Sequence, residues 1–225
     1  MTHSLPSAAS PLAVELFAIG AIKFSAGEGF ALAVHEKHPQ APRSPFYIDL
    51  RRLRSFPRFI RAVADFMAAD GDQLGLWERA DLLSDVPTAA TPLVTLISQK
   101  TGIPMISPRL AAKGHGTDEW VIGVWERGQR VVVIDDLRTT GGSKEEVIRL
   151  YDAAGLATVA IYALIDRGNP ERAPIAELPF YAPLLWSSLL TFYRAEQLIG
   201  ETALEECQRY PERLSSHLTD CPGCI

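Results

Sequence analysis

Short apolar runs alternate along the chain with segments in which apolar residues recur every three or four positions. The apolar run at 156–165 and the mixed segment at 81–86 predict strands, whereas the segments that open at Pro57 and near Pro92 predict amphipathic helices. Apolar runs without polar alternation are typical of strands buried on both faces of a parallel sheet. The alternation therefore predicts an α/β fold with an open parallel sheet flanked by helices.

Weaker patterns predict the elements around this alternating region. Residues 11–19 predict a short helix, and residues 21–34 predict an extended pair interrupted by glycines. The helix that opens at Pro57 is expected to end at Asp70 and Gly71. A final helix is expected at 194–210.

The clearest unit begins at residues 131–134, which read Val-Val-Val-Ile and predict a buried strand. Asp135 and Asp136 are expected to close this strand at its carboxyl end. A turn and a helix follow, and the helix is expected to end at Gly155. With the apolar run at 156–165, the segment predicts a βαβ unit. Ligands of such sheets bind where the carboxyl ends of strands meet the amino ends of helices.

The turn between the acids and this helix has the chemistry of a phosphate-binding site. Hydroxyls can donate hydrogen bonds, glycines let backbone N–H groups approach an anion, and the helix dipole adds its positive end. The acids on the rim would repel a phosphate but would suit ribose hydroxyls or a phosphate-bound Mg²⁺. A phosphorylated sugar satisfies both ends of such a site. The turn consists of Thr139, Thr140, Gly141, Gly142 and Ser143.

The residues of this segment, taken alone, fit other acidic sites as well. An apolar strand that ends in two acids can be a solvated strand end. It can also form the acidic pocket of a receiver domain or of a metal-assisted phosphohydrolase. The segment lacks the glycine and lysine spacing of a Walker loop and the spacing of a dinucleotide-binding fingerprint.

Composition narrows the class of protein. The 225 residues suffice for one α/β domain with a full core, and 47% hydrophobic with 22% charged residues is ordinary for a globular protein. A net charge of −5 without a basic cluster argues against a nucleic-acid surface. The amino-terminal residues do not have the pattern of a signal peptide, and no apolar run approaches membrane-spanning length. We expect a cytosolic protein with no nucleic-acid or membrane partner.

Residues 131–143 resemble the phosphoribosyl-pyrophosphate (PRPP) signature of type I phosphoribosyltransferases, in which a hydrophobic strand precedes two acids and a Thr/Ser-Gly turn. Further segments, in the order found in that family, resemble its orotate phosphoribosyltransferase branch. Together they cover roughly residues 14–170. These further segments are residues 16–24, 44–51, 85–93, 109–116 and 166–167.

The resemblance implies a type I phosphoribosyltransferase-like fold in a single domain. Residues 1–45 would form a small N-terminal hood, residues 46–200 the α/β core, and residues 201–225 a C-terminal helix and tail. It implies a pentosyltransferase of pyrimidine biosynthesis that transfers phosphoribosyl from PRPP to orotate, giving orotidine 5′-monophosphate and pyrophosphate. It further implies Mg²⁺ as cofactor and a homodimer whose catalytic loop is shared across the interface.

The resemblance also implies roles for single residues. Lys113 and His115, with a glycine after each, would be catalytic residues of a mobile loop that Arg109 opens. Asp135 and Asp136 would hold the ribose hydroxyls and are candidate ligands of PRPP-bound Mg²⁺. The turn after them would hold the 5′-phosphate. Substrate contacts are further implied for Arg109, Tyr47, Ile48, Thr139 and Arg167, of which the last two would contact orotate.

The catalytic loop departs from the family at Leu110 and Ala111, where the family usually has a second basic residue and an acid. A lysine that the family carries near the amino terminus is Ala33 in one alignment of this chain. Two alternatives therefore remain. The protein could bind PRPP or a nucleotide for regulation without catalysing transfer, or it could act on another base. Lys113 and the intact signature favour catalysis.

The C-terminal segment carries a second candidate site. Cys207, His217, Cys221 and Cys224 are four possible zinc ligands, and the last two have Cys-x-x-Cys spacing. The whole spacing is not a familiar zinc pattern. The favoured interpretation is a frayed terminus with incidental cysteines.

Overall fold

The chain forms two compact units in a computed structural model that describes residues 5–109, 120–139, 142–168 and 177–220. The side chains of residues 142, 143 and 220 also fall outside this description. The first unit contains Met1–Arg52 and Ser187–Ile225, and the second contains Leu53–Trp186. The expected division of a single domain after residues 45 and 200 stays a prediction.

The amino-terminal part of the first unit is a helix followed by an antiparallel pair of short strands. The predicted helix at 11–19 is confirmed, and its apolar residues Leu12, Ala13 and Leu16 are buried. The strand pair aligns Lys23 with Tyr47. The elements of this part are α1 (Ser10–Ala18), β1 (Ile22–Phe24), α2 (Val34–Lys37) and β2 (Phe46–Ile48).

The second unit alternates strands with helices, as the apolar pattern predicts. Its elements in chain order are α3 (Pro57–Gln73), β3 (Leu82–Asp85), α4 (Thr91–Thr101), β4 (Met105–Pro108), β5 (Val121–Ile122), β6 (Arg130–Arg138), α5 (Gly142–Ala154), β7 (Ala157–Asp166), β8 (Phe180–Tyr181) and β9 (Leu184–Leu185).

These strands form a seven-stranded sheet over the described part of the chain, in the order β5-β4-β3-β6-β7-β8, with β9 also pairing with β7. The pairs β3–β4, β3–β6, β6–β7, β7–β8 and β7–β9 are parallel, and β5 runs antiparallel to β4. The predicted open parallel sheet is therefore confirmed. The carboxyl ends of β3, β4, β6 and β7 meet at one edge, where ligands of such sheets bind.

Strand β6 lies at the centre of the sheet, and residues 131–134 have no exposed surface. Val131 and Val133 pack against Val147 and Tyr151 of α5. This burial confirms the strand predicted from the Val-Val-Val-Ile run. Gly155 follows α5 with a φ of 80°, a left-handed conformation that suits glycine, so the predicted helix end is also confirmed.

The first unit is completed by α6 (Trp186–Ala195), which begins at the last residue of the second unit, and by α7 (Glu201–Asp220). The prediction of one final helix at 194–210 is wrong. Gln197 takes a left-handed φ of 57° between the two helices, which interrupts the helical backbone. Helix α7 then continues past Pro211, with Cys207 and Tyr210 buried on one face.

Three other boundaries differ from the prediction. Strand β6 continues beyond the two acids to Arg138, because pairing with β7 extends to Asp166. The extended pair expected at 21–34 is also wrong, since β1 pairs with β2 instead. Helix α3 continues past Gly71 and ends at Gln73. None of the described helices is long and apolar enough to cross a membrane.

Candidate active site

The two acids of the signature lie on β6, three and two residues before its end, at the carboxyl edge of the sheet. Asp135 is buried, with 5% of its surface exposed, whereas Asp136 is partly exposed. Successive residues of a strand face opposite sides of the sheet, so the two side chains have different surroundings. The acid pair is therefore not two equivalent carboxylates.

Asp135 is engaged inside the protein by Lys144 in the first turn of α5. The two side chains form an ion pair, and both are almost completely buried. The ammonium group also donates to the carbonyl oxygen of Leu137 at 3.0 Å. The backbone N–H of Asp136 donates to Asp135 Oδ1 at 2.8 Å. Of the two acids, Asp136 is therefore the one that retains exposed surface.

The sequence analysis did not identify Lys144, although its position carries a signal. Lys144 lies one helical turn before Val147 and Ile148 and two turns before Tyr151, and all four residues are buried. A lysine on the apolar face of a predicted helix must reach a carboxylate or carbonyl group when it is buried. The nearest carboxylates on the preceding strand are those of the acid pair.

Asp136 has a perturbed acidity. The pKa of its carboxyl group is raised to about 7, mainly by burial and then by the adjacent charge of Asp135, while the charge of Lys144 opposes this rise. The ionised form is therefore less favourable here than in water. A partner that donates hydrogen bonds to the carboxylate would stabilise that form.

A second buried ion pair joins the ends of β6 and β7. Arg138 Nε and Nη2 lie 2.9 Å from Asp166 Oδ1 and Oδ2, respectively, so the pair is bidentate. The register aligns Arg138 with Asp166 directly. The predicted base-contact residues Thr139 and Arg167 follow these two strand ends, and both are partly exposed. The structure therefore brings Thr139 and Arg167 to neighbouring positions on one edge.

Asp85 at the end of β3 completes this edge. Thr91 of α4 donates to one oxygen of its carboxylate, and Ser107 of β4 donates to the other at 2.5 Å. Asp85 is 1% exposed. Both carboxylate oxygens are thus used to join β3, α4 and β4, which supports a structural role for this acid.

Other predicted site residues lie at or outside the limits of the description. Arg109 follows β4, is partly exposed, and donates its backbone N–H to the carbonyl oxygen of Trp120 at 2.9 Å. Gly142 is the first residue of α5. Leu110, Ala111, Lys113, His115, Thr140 and Gly141 lie outside the described residues, as does the side chain of Ser143.

Tyr47 and Ile48 lie on β2 in the first unit, and both are partly exposed. Arg51 Nη2 donates to Tyr47 Oη at 3.2 Å, and the rings of Tyr47 and Phe30 are 5.7 Å apart. These contacts orient the tyrosine within its own unit. Its predicted contact with substrate stays a prediction.

The C-terminal zinc hypothesis receives no support from the described part of the tail. Cys207 is buried in α7, and burial raises the pKa of its thiol to about 12, which disfavours the thiolate that zinc requires. His217 is partly exposed on the same helix, and Cys221 and Cys224 lie outside the described residues. No cluster of three or more potential metal-ligating side chains occurs within the described residues.

Comparisons with known proteins identify the family to which the chain belongs. The phosphoribosyl transferase domain family matches residues 57–178. Orotate phosphoribosyltransferase of Rhizobium meliloti (strain 1021) is 34% identical over 202 residues, covering 87% of this chain and 83% of that protein. The protein of that name from Rhizobium etli (strain CIAT 652) is 32% identical over 197 residues, with the same coverage.

Solved structures give the same result. Orotate phosphoribosyltransferase from Aeropyrum pernix is 27% identical, with a TM-score of 0.67 over 84% of this chain and 99% of that one. Leishmania donovani UMP synthase is 29% identical, with a TM-score of 0.72 over 92% of this chain. This chain spans 43% of the length of that protein. Domain match, sequence identity and fold agree, and the chain belongs to the orotate phosphoribosyltransferase family of type I phosphoribosyltransferases.

Proposed function

We propose that this protein is an orotate phosphoribosyltransferase that transfers phosphoribosyl from PRPP to orotate. The products are orotidine 5′-monophosphate and pyrophosphate, as in pyrimidine biosynthesis. The observation that carries the proposal is the pair Asp135 and Asp136 on β6, directly before the turn that opens α5, in a chain of this family. This edge joins hydroxyl-binding acids to a phosphate-binding turn.

The geometry supports different roles for the two acids. Asp136 is partly exposed and would accept hydrogen bonds from ribose hydroxyls of PRPP. Asp135, neutralised by Lys144, would hold the backbone of Asp136 through its N–H group. The 5′-phosphate would bind the turn from Thr140 to Ser143 at the amino end of α5. Thr139 and Arg167 would contact orotate, whose carboxylate suits a guanidinium group.

Mg²⁺ fits this site as an ion bound mainly by the substrate. Of the two acids on β6, Asp136 alone has an accessible carboxylate, because the carboxylate of Asp135 is occupied by Lys144. Mg²⁺ usually keeps several waters and binds one or two carboxylates together with substrate phosphates. Asp136 would contact the ion or its waters, and the bound ion would neutralise pyrophosphate charge.

The reaction forms a bond between a ring nitrogen of orotate and the anomeric carbon while the bond from that carbon to pyrophosphate breaks. The sugar becomes oxocarbenium-like, so the enzyme must align the two reacting atoms and stabilise the departing charge. Lys113 and His115, helped by Arg109, would supply positive charge to the pyrophosphate when the loop closes. The resemblance to the family also supports a cytosolic homodimer in which this loop serves the partner's site.

An assay of pyrophosphate release tests the proposal. The protein is incubated with PRPP, Mg²⁺ and, in separate reactions, orotate, uracil, adenine or hypoxanthine. We expect release that depends on orotate and yields orotidine 5′-monophosphate. Release with another base only would indicate a different transferase. Firm PRPP binding by calorimetry without release from any base would favour the regulatory alternative, which the residues Leu110 and Ala111 motivate.

A further inference from the structure

Arg138 holds its guanidinium group in a closely defined place at the end of β6. Its two hydrogen bonds to Asp166 fix the plane of the group, and both side chains are less than 10% exposed. The ring of Phe180 on β8 covers the guanidinium, with its centroid 4.0 Å from Arg138 Cζ. A guanidinium group that is hydrogen-bonded to both oxygens of a carboxylate and stacked on an aromatic ring has little freedom to reorient.

The same contacts fix the turn that carries Arg167. The backbone N–H of Arg167 donates to the carbonyl oxygen of Arg138 at 3.0 Å. The backbone N–H of Gly168 donates to Asp166 Oδ1 at 2.7 Å, the oxygen that also accepts from Arg138 Nε. Arg138 therefore holds Asp166 by its side chain and Arg167 by its carbonyl group, while Asp166 holds Gly168. Arg167 is restrained on both sides.

Close packing at Gly168 shows that this turn fits tightly against the ion pair. A Cβ atom at Gly168 would lie 3.0 Å from both Arg138 Nε and Asp166 Oδ1. A residue larger than glycine would have to displace the guanidinium group or the carboxylate. Glycine at position 168 of the sequence Asp-Arg-Gly therefore fits the space beside the side chains of Arg138 and Asp166.

Stability alone does not explain a buried pair at this position. Apolar residues of similar volume often stabilise a protein as well as a buried ion pair does, because charges are costly to desolvate. At the opposite end of β6 an ion pair of similar geometry is exposed to solvent, where Arg130 forms two hydrogen bonds to the carboxylate of Asp81. The buried pair occurs where two residues predicted to contact the base, Thr139 and Arg167, leave the sheet.

We propose that Arg138 is a positioning residue for base recognition, which clamps Asp166 so that Arg167 is held ready for a base that bears a carboxylate. This inference rests on the proposed function and gives a structural reason for the preference of the enzyme for orotate. Arg138 does not itself touch the base. It acts through the turn at 166–168.

Steady-state kinetics of an Arg138→Met variant test this inference. We expect the KM for orotate to rise about tenfold or more, because a small misplacement of a binding group is costly. The KM for PRPP should stay within about threefold, because the residues proposed to bind the 5′-phosphate follow Thr139 in the chain and are not part of the turn at 166–168. The kcat/KM ratio of orotate over uracil, which lacks the carboxylate, should fall by a similar factor.

Three further variants make the result specific. Arg130→Met removes the exposed pair on the same strand and should leave both KM values within about twofold. Arg138→Lys keeps the charge but not the fork, so its KM for orotate should lie between those of wild type and Arg138→Met. Asp166→Asn keeps the shape of the turn and should raise the KM for orotate even if Arg138→Met does not fold.

Two results would overturn the inference. One is an unchanged KM for orotate in both Arg138→Met and Asp166→Asn. The other is an equal rise in the KM for orotate and PRPP in every folded variant, which would show a purely structural role. Either result, in the presence of wild-type turnover with orotate, leaves the proposed function intact. Absence of wild-type turnover with orotate would instead overturn the proposed function.

Discussion

Buried charge is concentrated at one edge of the second unit. Among the described residues, the charged side chains classed as buried all lie at the carboxyl ends of β3, β6 and β7 or at the start of α5. Most proteins bury such groups only when they are paired or bound to a ligand. Their concentration distinguishes this edge, where the substrates are proposed to bind, from the rest of the described chain. These residues are Asp85, Asp135, Arg138, Lys144 and Asp166.

Replacing Lys144 should be strongly destabilising. A Lys144→Met variant keeps the length of the side chain but leaves the buried carboxylate of Asp135 without its partner. Loss of one partner of a buried pair typically costs about 3–5 kcal/mol in the free energy of unfolding. Urea unfolding monitored by circular dichroism measures this change. Adding Asp135→Asn to the variant should recover part of the loss.

A matched control is available on α4. Lys100 pairs with Asp65, and both side chains are about half exposed, at 48% and 50%. Lys100→Met should change the free energy of unfolding by less than about 0.5 kcal/mol, as is usual for exposed pairs. Equal effects of Lys144→Met and Lys100→Met would show that the buried pair with Asp135 contributes no more than a surface pair.

The raised pKa of Asp136 predicts a pH-dependent stability in the protein without ligand. The folded state keeps a proton on this carboxyl up to about pH 7, whereas the unfolded chain loses it near pH 4. Stability should therefore fall as the pH rises through this window. Asp136→Asn removes that loss, so its free energy of unfolding should rise relative to that of wild type by on the order of 2 kcal/mol between pH 5 and pH 8.

Asp81 provides a comparison of opposite sign. Hydrogen bonds from Arg130 lower the pKa of its carboxyl group to about 2. The stability that Asp81 contributes should be present above pH 4 and lost as the pH falls towards 2. Thermal unfolding of Asp136→Asn and Asp81→Asn across pH separates the two effects. A constant difference between Asp136→Asn and wild type would show that the carboxyl is not perturbed.

At the scale of elements, tertiary packing changes what a residue does for its helix. Glycine usually weakens a helix, and Gly71 was expected to end α3. The structure instead continues α3 to Gln73 and buries Gly71 beneath Trp77. A Cβ atom there would lie 2.1 Å from Trp77 Cζ2. Trp77 donates its indole N–H to the carbonyl oxygen of Ala68 at 2.7 Å, which fixes the ring over the helix.

Gly71→Ala should therefore destabilise the protein, against the usual gain of alanine within a helix. Overpacking of this kind costs about 1–3 kcal/mol, which exceeds the gain of about 1 kcal/mol in helix propensity. In a Trp77→Ala background the same substitution should become neutral or stabilising. Denaturant unfolding of the four proteins of this double-mutant cycle measures the effect of Gly71→Ala on the free energy of unfolding in both backgrounds. A stabilising effect in both backgrounds would contradict the assigned clash.

At the scale of the whole molecule, the proposed sharing of the catalytic loop between subunits can be tested by mixing variants. Lys113→Ala should lower kcat by about a hundred- to a thousand-fold, the usual cost of losing one electrostatic contact in the transition state. Asp136→Asn should weaken PRPP binding through the loss of a charged acceptor. Each variant alone is expected to show little activity.

Refolding the two variants together should restore activity if the loop serves the partner's site. A mixed dimer then has one site with both changes and one site with neither. Random assembly gives about a quarter of wild-type activity. Activity that stays at the average of the two separate variants would show that the loop acts within its own subunit.

The sequence by itself determined the class of fold and the position of the acid pair. The run at 131–134 predicts a buried strand because it is entirely apolar, and the run at 156–165 predicts a strand because it is almost entirely apolar. Gly155 predicts a helix end because few other residues suit a left-handed conformation. These signals are local. The catalytic residues Lys113 and His115 remain predictions of the sequence alone.

Only the tertiary structure decided which charges meet. Arg138 and Asp166 are 28 positions apart, and their pairing depends on the register between β6 and β7, including an irregularity at Val131 and Val132. The apolar run of β6 does not encode that register, because a strand buried on both faces lacks the alternation that would distinguish one face from the other. The packing of α5 against β6 decided that Lys144 holds Asp135, and the pairing of β6 with β7 decided that Arg138 holds Asp166. Asp136 and Arg167 retain exposed surface.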